Sequence, residues 1–226
     1  MIIGMDRLEN KYLITLIIDD NSFILRRYNR NNYMNNLKLI FLAASVLFVT
    51  SLSAQITLNN PSFEDEPSDA TVPMGWFPCA PNTTPDILPG FWGVYSEASE
   101  GETYLGLITR YDGSYESIGQ RFSERLDDET CYSFKIDLAQ SLSYAGYNEP
   151  LKIRIWVSNR KCKKEELIFE SPFIEHSEWQ TYEVEFTPKI KAKYILIEAY
   201  YTEGRIMRTG NILLDNITPL IACTKA

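Results

Sequence analysis

Beyond residue 55 no segment of this chain carries a long apolar pattern with a period of 3.6 residues. Short runs rich in β-branched and aromatic residues recur instead, separated by turn signals. Strands are predicted at 56–64, 103–109, 115–122, 131–140, 151–158, 179–187, 193–201 and 211–220. Many strands without intervening helices imply an all-β protein, an antiparallel two-sheet sandwich. Eight of them fit a jelly roll. Between the first two runs lies 65–102, which holds six of the eleven prolines with Trp76, Phe77, Phe91, Trp92 and Tyr95. A connection that long without regular structure is either functional or tied down.

The sandwich does not begin at residue 1. Residues 34–54 read as a secretory signal peptide, with Lys38 as the basic start and Leu39 to Leu52 as the apolar stretch. Ser-Leu-Ser-Ala closes it with small residues at the cleavage-site spacing. The apolar run is 14 residues long, short of the roughly 20 that a spanning helix needs, so no permanent membrane span is expected after cleavage. Residues 1–33 are expected to be an over-extended start or a disordered tail. The working protein is then 55–226, a single domain, secreted or periplasmic.

Cleavage changes the charge. Of 22 Lys+Arg and 30 Asp+Glu, 6 and 4 lie in 1–54, which leaves 16 against 26 and a net charge of −10. An acid excess of this size argues against nucleic acid or an anionic membrane as partner. A single histidine, His176, leaves a triad-type catalyst one candidate base.

All four cysteines lie in the secreted part, which suggests disulfides. If 131–140 and 151–158 form a hairpin about Ala145–Gly146, Cys131 falls almost opposite Cys162. The expected pairs are therefore Cys131–Cys162 and, by elimination, Cys79–Cys223.

Short motifs follow in a particular order: Asn60-Pro61-Ser62-Phe63-Glu64, Gly75-Trp76, Glu102-Thr103-Tyr104-Leu105-Gly106-Leu107, Ser117-Ile118-Gly119-Gln120, Cys131-Tyr132-Ser133-Phe134 and Leu213-Leu214-Asp215-Asn216-Ile217. This order resembles the carbohydrate-binding modules of the galactose-binding-like jelly roll, the CenC-like modules of secreted glycoside hydrolases. Such modules usually accompany a catalytic domain, and none is expected in this chain. The resemblance implies that the first strand pairs with the last, and the last with 115–122. It implies a second sheet of 103–109, 193–201, 131–140 and 151–158. It also implies a structural calcium ion held by Glu64 and Asp215, whose hard carboxylate oxygens suit that cation.

Period-two alternation then sorts that second sheet. Leu151, Ile153, Ile155 and Val157 face the core, as do Tyr132, Phe134, Ile136, Leu138, Ile195, Ile197, Ala199, Leu105 and Leu107. The outer face gathers Trp156, Arg154, Asp137, Glu198, Tyr200 and Tyr104. Sugars need such a mixture: a ring to cover the apolar face of a pyranose and planar charged groups to bond its hydroxyls. Loop aromatics Trp92, Tyr111, Tyr115, Tyr144 and Tyr147 form a second candidate. The leading reading is a non-catalytic glycan binder with Trp156 as the stacking ring. One alternative is a cell-surface or periplasmic protein-interaction module without a sugar site. Another is a small glycoside hydrolase using Asp137 and Glu198 as its paired carboxylates.

Overall fold

The computed structural model describes the backbone of 12–19 and 22–29, and then residues 55–201 and 208–223. The chain divides into two units, Met1–Leu52 and Ser53–Ala226. In the first, β1 (Tyr12–Asp19) and β2 (Ser22–Asn29) pair as an antiparallel hairpin in which Asp19 lies opposite Ser22. This hairpin lies within the stretch 1–33 expected to be an over-extended start or a disordered tail. The expected signal peptide, 34–54, lies outside the described residues.

The second unit is all-β, a two-sheet sandwich of jelly-roll type. Its strands in chain order are β3 (Phe77–Pro78), β4 (Asp86–Leu88), β5 (Tyr104–Ile108), β6 (Ser117–Leu126), β7 (Tyr132–Ala139), β8 (Glu149–Pro150), β9 (Lys152–Ser158), β10 (Glu166–Glu170), β11 (Gln180–Phe186), β12 (Ala192–Tyr200), β13 (Gly210–Asp215) and β14 (Ile221–Ala222). A five-stranded sheet runs β10-β9-β12-β6-β3. A seven-stranded sheet runs β11-β7-β13-β5-β4, with β14 on β7 and β8 on β13. Apart from the short parallel β8–β13 contact, every pairing is antiparallel. Among the described residues no helix is long and apolar enough to cross a membrane.

All the positions expected to face inward lie in the main core between the sheets. Their distribution between sheets differs from expectation. The four do not form one sheet: 103–109 and 131–140 lie in the seven-stranded sheet, and 151–158 and 193–201 in the five-stranded one. The last long strand, β13, sits between β5 and β7, not beside 115–122, which pairs with β12. The first segment does meet the last, through a bridge between Ile56 and Leu220. The physical reason is the connection 140–150: it is not a hairpin turn but a crossing from the seven-stranded sheet, which holds β7, to the five-stranded sheet, which holds β9.

The same crossing corrects the disulfides. The bonds are Cys79–Cys162 and Cys131–Cys223, with Cα separations of 5.0 and 5.3 Å, within the usual range. Cys131 enters β7 while Cys162 leaves β9, so they belong to opposite sheets. Cys223 instead reaches Cys131 because β14 pairs with the start of β7. Its amide donates to the Cys131 carbonyl at 3.0 Å.

The proline-rich stretch is a cover. Alternation on the seven-stranded sheet sends Leu105, Leu107, Ile212 and Leu214 inward and Tyr104, Ile108, Ala139 and Leu213 outward. The outward set does not meet water. It packs with Leu88, Val94 and Tyr144 into a second apolar cluster, joined by Phe91, Tyr147 and Trp179. The stretch is tied down through β4, which pairs with β5, and through the Trp92 carbonyl, which accepts from Ala145 N at 2.9 Å.

Candidate functional site

The six residues expected on one outer face split between two. Asp137 on β7 and Tyr104 on β5 belong to the seven-stranded sheet and lie under the cover, 4 % and 0 % exposed. Asp137 accepts from Ser99 Oγ at 2.7 Å, Thr181 Oγ1 at 2.6 Å and Asn216 Nδ2 at 3.0 Å. The Tyr104 hydroxyl lies 2.7 Å from Ser96 Oγ. Both groups are satisfied internally, so neither is presented to a ligand. Asp137 and Glu198 stand on outer faces of opposite sheets, which removes the paired-carboxylate arrangement of the hydrolase reading.

The other four, Arg154, Trp156, Glu198 and Tyr200, do share the outer face of the five-stranded sheet. Register puts Arg154 opposite Glu198 and Glu170, and Trp156 opposite Leu196. Here the chain forms a cavity of about 200 Å³ lined by Gly113, Tyr115, Arg154, Lys164, Glu198, Ala199, Tyr200 and Tyr201. Trp156 is not part of the lining. It is half-buried, and its Nε1 donates to Glu198 Oε1 at 3.0 Å. The ring expected to stack a sugar therefore holds a carboxylate in place. The aromatic walls are tyrosines instead.

Arg154 is clamped on two sides. Its Nε donates to Glu170 Oε2 at 2.7 Å, and its guanidinium lies 3.3 Å from the centre of the Tyr200 ring. A guanidinium held over a ring and bonded at Nε has few orientations left. Lys152 completes the pair with Glu170 at 3.2 Å. Burial works to raise the Glu170 pKa, but Arg154 and Lys152 outweigh it and hold that carboxyl below its usual value.

Lys164 arrives from the connection between β9 and β10. Its ammonium pairs with Glu198 and donates to the Tyr115 hydroxyl at 2.8 Å. Burial works against its charge, yet the bonds to Glu198 and Tyr115 outweigh burial and leave its pKa raised. The Cys79–Cys162 bridge straps this connection across the sheet. Beneath the strap sits Gly119, where an added Cβ would come within 2.8 Å of Cys79 Sγ and of the Phe77 ring. A glycine is what lets the disulfide pass this close to the sheet.

Sequence reasoning did not single out Lys164, Glu170 or Tyr201, and it placed Tyr115 among loop aromatics. The run Cys162-Lys163-Lys164-Glu165-Glu166 carried the only signal, a charged stretch anchored by a cysteine.

The expected calcium ligands meet at the loop 99–103. Asp215 is fully buried; its Oδ2 accepts from the amides of Ser99 at 2.8 Å and Glu100 at 2.9 Å. Glu64 accepts from the amides of Glu102 and Thr103. Burial pushes Asp215 up to about 7, against the pull of those amides and with the Glu64 charge adding to the rise. Calcium takes about 6–8 oxygens; here the two carboxylates accept from the amides of Ser99, Glu100, Asn216, Glu102 and Thr103. The one other group of metal-ligand type among the described residues, Cys131, Glu185 and Cys223, has both sulfurs in a disulfide.

No family model matches this chain, and no curated protein matches it. Solved structures do. An arabinose-bound GH51 α-L-arabinofuranosidase aligns with a TM-score of 0.51 at 12% identity, over 76% of this chain and 27% of that one. This chain therefore spans little more than a quarter of that enzyme. The K3 cleaved adhesin domain of Lys-gingipain from Porphyromonas gingivalis aligns at 0.48 and 11% identity, over 74% and 99%. The CBM22-1 xylan-binding domain of Paenibacillus barcinonensis Xyn10C aligns at 0.46 and 12% identity, over 73% and 93%. At such identities the likeness is one of fold.

Proposed function

We propose that residues 55–226 form a secreted, non-catalytic carbohydrate-binding module of the galactose-binding-like type. The glycan sits in the cavity on the outer face of the five-stranded sheet. One observation carries this reading: a formed cavity that combines tyrosine rings with a guanidinium clamped in a fixed orientation. Apolar surface with a few placed polar groups is the usual make-up of a small-ligand site. Tyr115 and Tyr201 offer ring surface, and Arg154 and Lys164 orient hydroxyls through N–H donors. Glu198 holds Lys164 while being held by Trp156. Export is supported by the pairing of every cysteine, which needs an oxidising compartment. A glycan array with the wild type, Tyr115→Ala and Arg154→Ala tests the reading. Hits lost in both variants support it; hits kept in both overturn the site.

The second reading, a cell-surface or periplasmic protein-interaction module, is favoured by the other face. The cover leaves Trp92, Leu142 and Tyr95 exposed at 46%, 68% and 74%. An array without hits, together with a protein partner captured by wild type and lost in Trp92→Ala, would favour it.

A structural calcium ion at Glu64 and Asp215 belongs to the same proposal. It is supported by the convergence of both carboxylates on the loop 99–103, since hard carboxylate oxygens suit that cation. Calcium should raise the melting temperature and a chelator lower it; no shift in either direction overturns it.

A further inference from the structure

The cavity is unevenly supplied with hydrogen-bonding groups, and the imbalance says what it would take. Each of its carboxylates is already paired with a cation. Glu198 Oε1 accepts from Trp156 and Oε2 faces Lys164. The Tyr115 oxygen accepts from Lys164. Glu170 is shared between Arg154 and Lys152. The donors are not all occupied. Arg154 uses Nε on Glu170, and its two terminal nitrogens carry no hydrogen bond to any described residue. A guanidinium has five N–H donors, so four remain.

Charge leans the same way. Lys152, Arg154 and Lys164 stand against Glu170 and Glu198, a local excess of one cation in a chain of net charge −8. The surrounding acid excess is screened beyond ~8 Å at physiological salt. A local cation therefore acts on a bound group without making the protein a general polyanion binder. A neutral sugar hydroxyl can donate or accept and needs no such surplus. A carboxylate or sulfate only accepts, and a planar fork engages it with two parallel bonds.

We infer that this cavity selects a sugar ring bearing an anionic substituent, with the free fork of Arg154 as the anion clamp and the tyrosines around it taking the ring. The inference rests on the reading of this cavity as the sugar site. The size agrees: about 200 Å³ is below the roughly 300–1,000 Å³ of drug-sized sites, which suits one ring held by its substituent.

The test uses polymers that differ in charge alone. Affinity electrophoresis of the full chain at 150 mM salt compares polygalacturonate with its methyl-esterified form, and dextran sulfate with dextran. At least one anionic member should bind ~10-fold or more tightly than its neutral match, and which one does separates a carboxylate from a sulfate. Arg154→Gln, checked for folding by its melting temperature, should reduce that preference to within ~2-fold. Lys164→Gln provides a second variant from a different element. Equal binding of charged and neutral members overturns the anionic preference and leaves the sugar site standing. No binding to any of the four, with neutral glycans held on an array and lost in Tyr115→Ala, also overturns it and leaves the site. No binding to any glycan at all overturns both.

Discussion

The two outer sheet faces of this sandwich have opposite fates. That of the seven-stranded sheet is roofed by the proline-rich stretch, and its polar groups turn to one another: Asp137 to Ser99, Thr181 and Asn216, and Tyr144 to Asp86. That of the five-stranded sheet is open, crossed by one disulfide-strapped connection, and keeps donors in reserve. Burial with full satisfaction is how a face contributes stability. Exposure with unsatisfied donors is how a face contributes recognition. The difference teaches that a long irregular stretch need not be the site. Here it takes the sheet face beneath it out of reach of a ligand.

The sharpest way to break this contrast is to open the roof. Tyr104 is fully buried, packs edge-on against Trp179 with ring centres 5.3 Å apart, and belongs to the second apolar cluster. Tyr104→Ala should cost about 3–5 kcal/mol, as buried aromatic truncations do, measured by urea unfolding. Glycan binding by the remaining folded fraction should be unchanged. A loss below ~1 kcal/mol would mean that the roof is loosely held.

The disulfides divide along the same line. Replacing either pair by serine should destabilise by about 2–4 kcal/mol. Only Cys79→Ser with Cys162→Ser should also abolish glycan binding, because it frees the connection that delivers Lys164. Cys131→Ser with Cys223→Ser should leave binding intact. Equal binding loss in both would sink the assignment of the strap to the site.

Asp215 gives a smaller effect with a definite sign. Its folded pKa of about 7 lies above the unfolded 3.8. The folded state therefore holds the proton more tightly, and stability falls as pH rises wherever it does so. Asp215's contribution is fully present below about pH 4 and is lost as pH rises through about 7. In chelator, the wild type should gain stability relative to Asp215→Asn between pH 7 and pH 4. With calcium bound the carboxylate is held ionised, and the difference should flatten. A wild type that loses stability relative to Asp215→Asn on acidification would refute the shift.

The smallest effect on stability is expected at Arg154. Its ion pair with Glu170 is partly exposed, and such pairs contribute ~0–1 kcal/mol. Arg154→Gln should hardly move the melting temperature while removing the anionic preference. A large drop in stability would place Arg154 in the framework of the fold.

Much of the fold was legible, and for one reason. Inward positions such as Ile153, Ile155, Ile195 and Ile197 follow from period two, which is local. Which sheet a strand joins is not local. Nothing in 140–150 distinguishes a hairpin turn from a crossing, and that one ambiguity misplaced both disulfides and split the six-residue face. Alternation correctly sent Asp137 and Tyr104 outward. It could not show that outward meant under a roof, because residues such as Leu88 and Val94 lie 16 and 10 positions before Tyr104 in an irregular stretch. Arg154 and Glu198 were found because they lie on regular strands. Lys164 was missed because a disulfide, not a strand, puts it there. The short strands β3, β4, β8 and β10 escaped because two to five residues carry too little pattern.

The two bridges also interleave. In chain order the cysteines are 79, 131, 162 and 223, and the first joins the third while the second joins the fourth. If the chain is exported N-terminus first, as proposed, Cys131 follows Cys79 before Cys162 emerges. An oxidant that joins thiols in order of appearance would therefore make the wrong ring first. Maturation needs either the two sheets assembled before oxidation, or thiol–disulfide exchange to correct the first pairing. Yield of active protein in an oxidising host should therefore depend on a disulfide isomerase rather than on the strength of the oxidant.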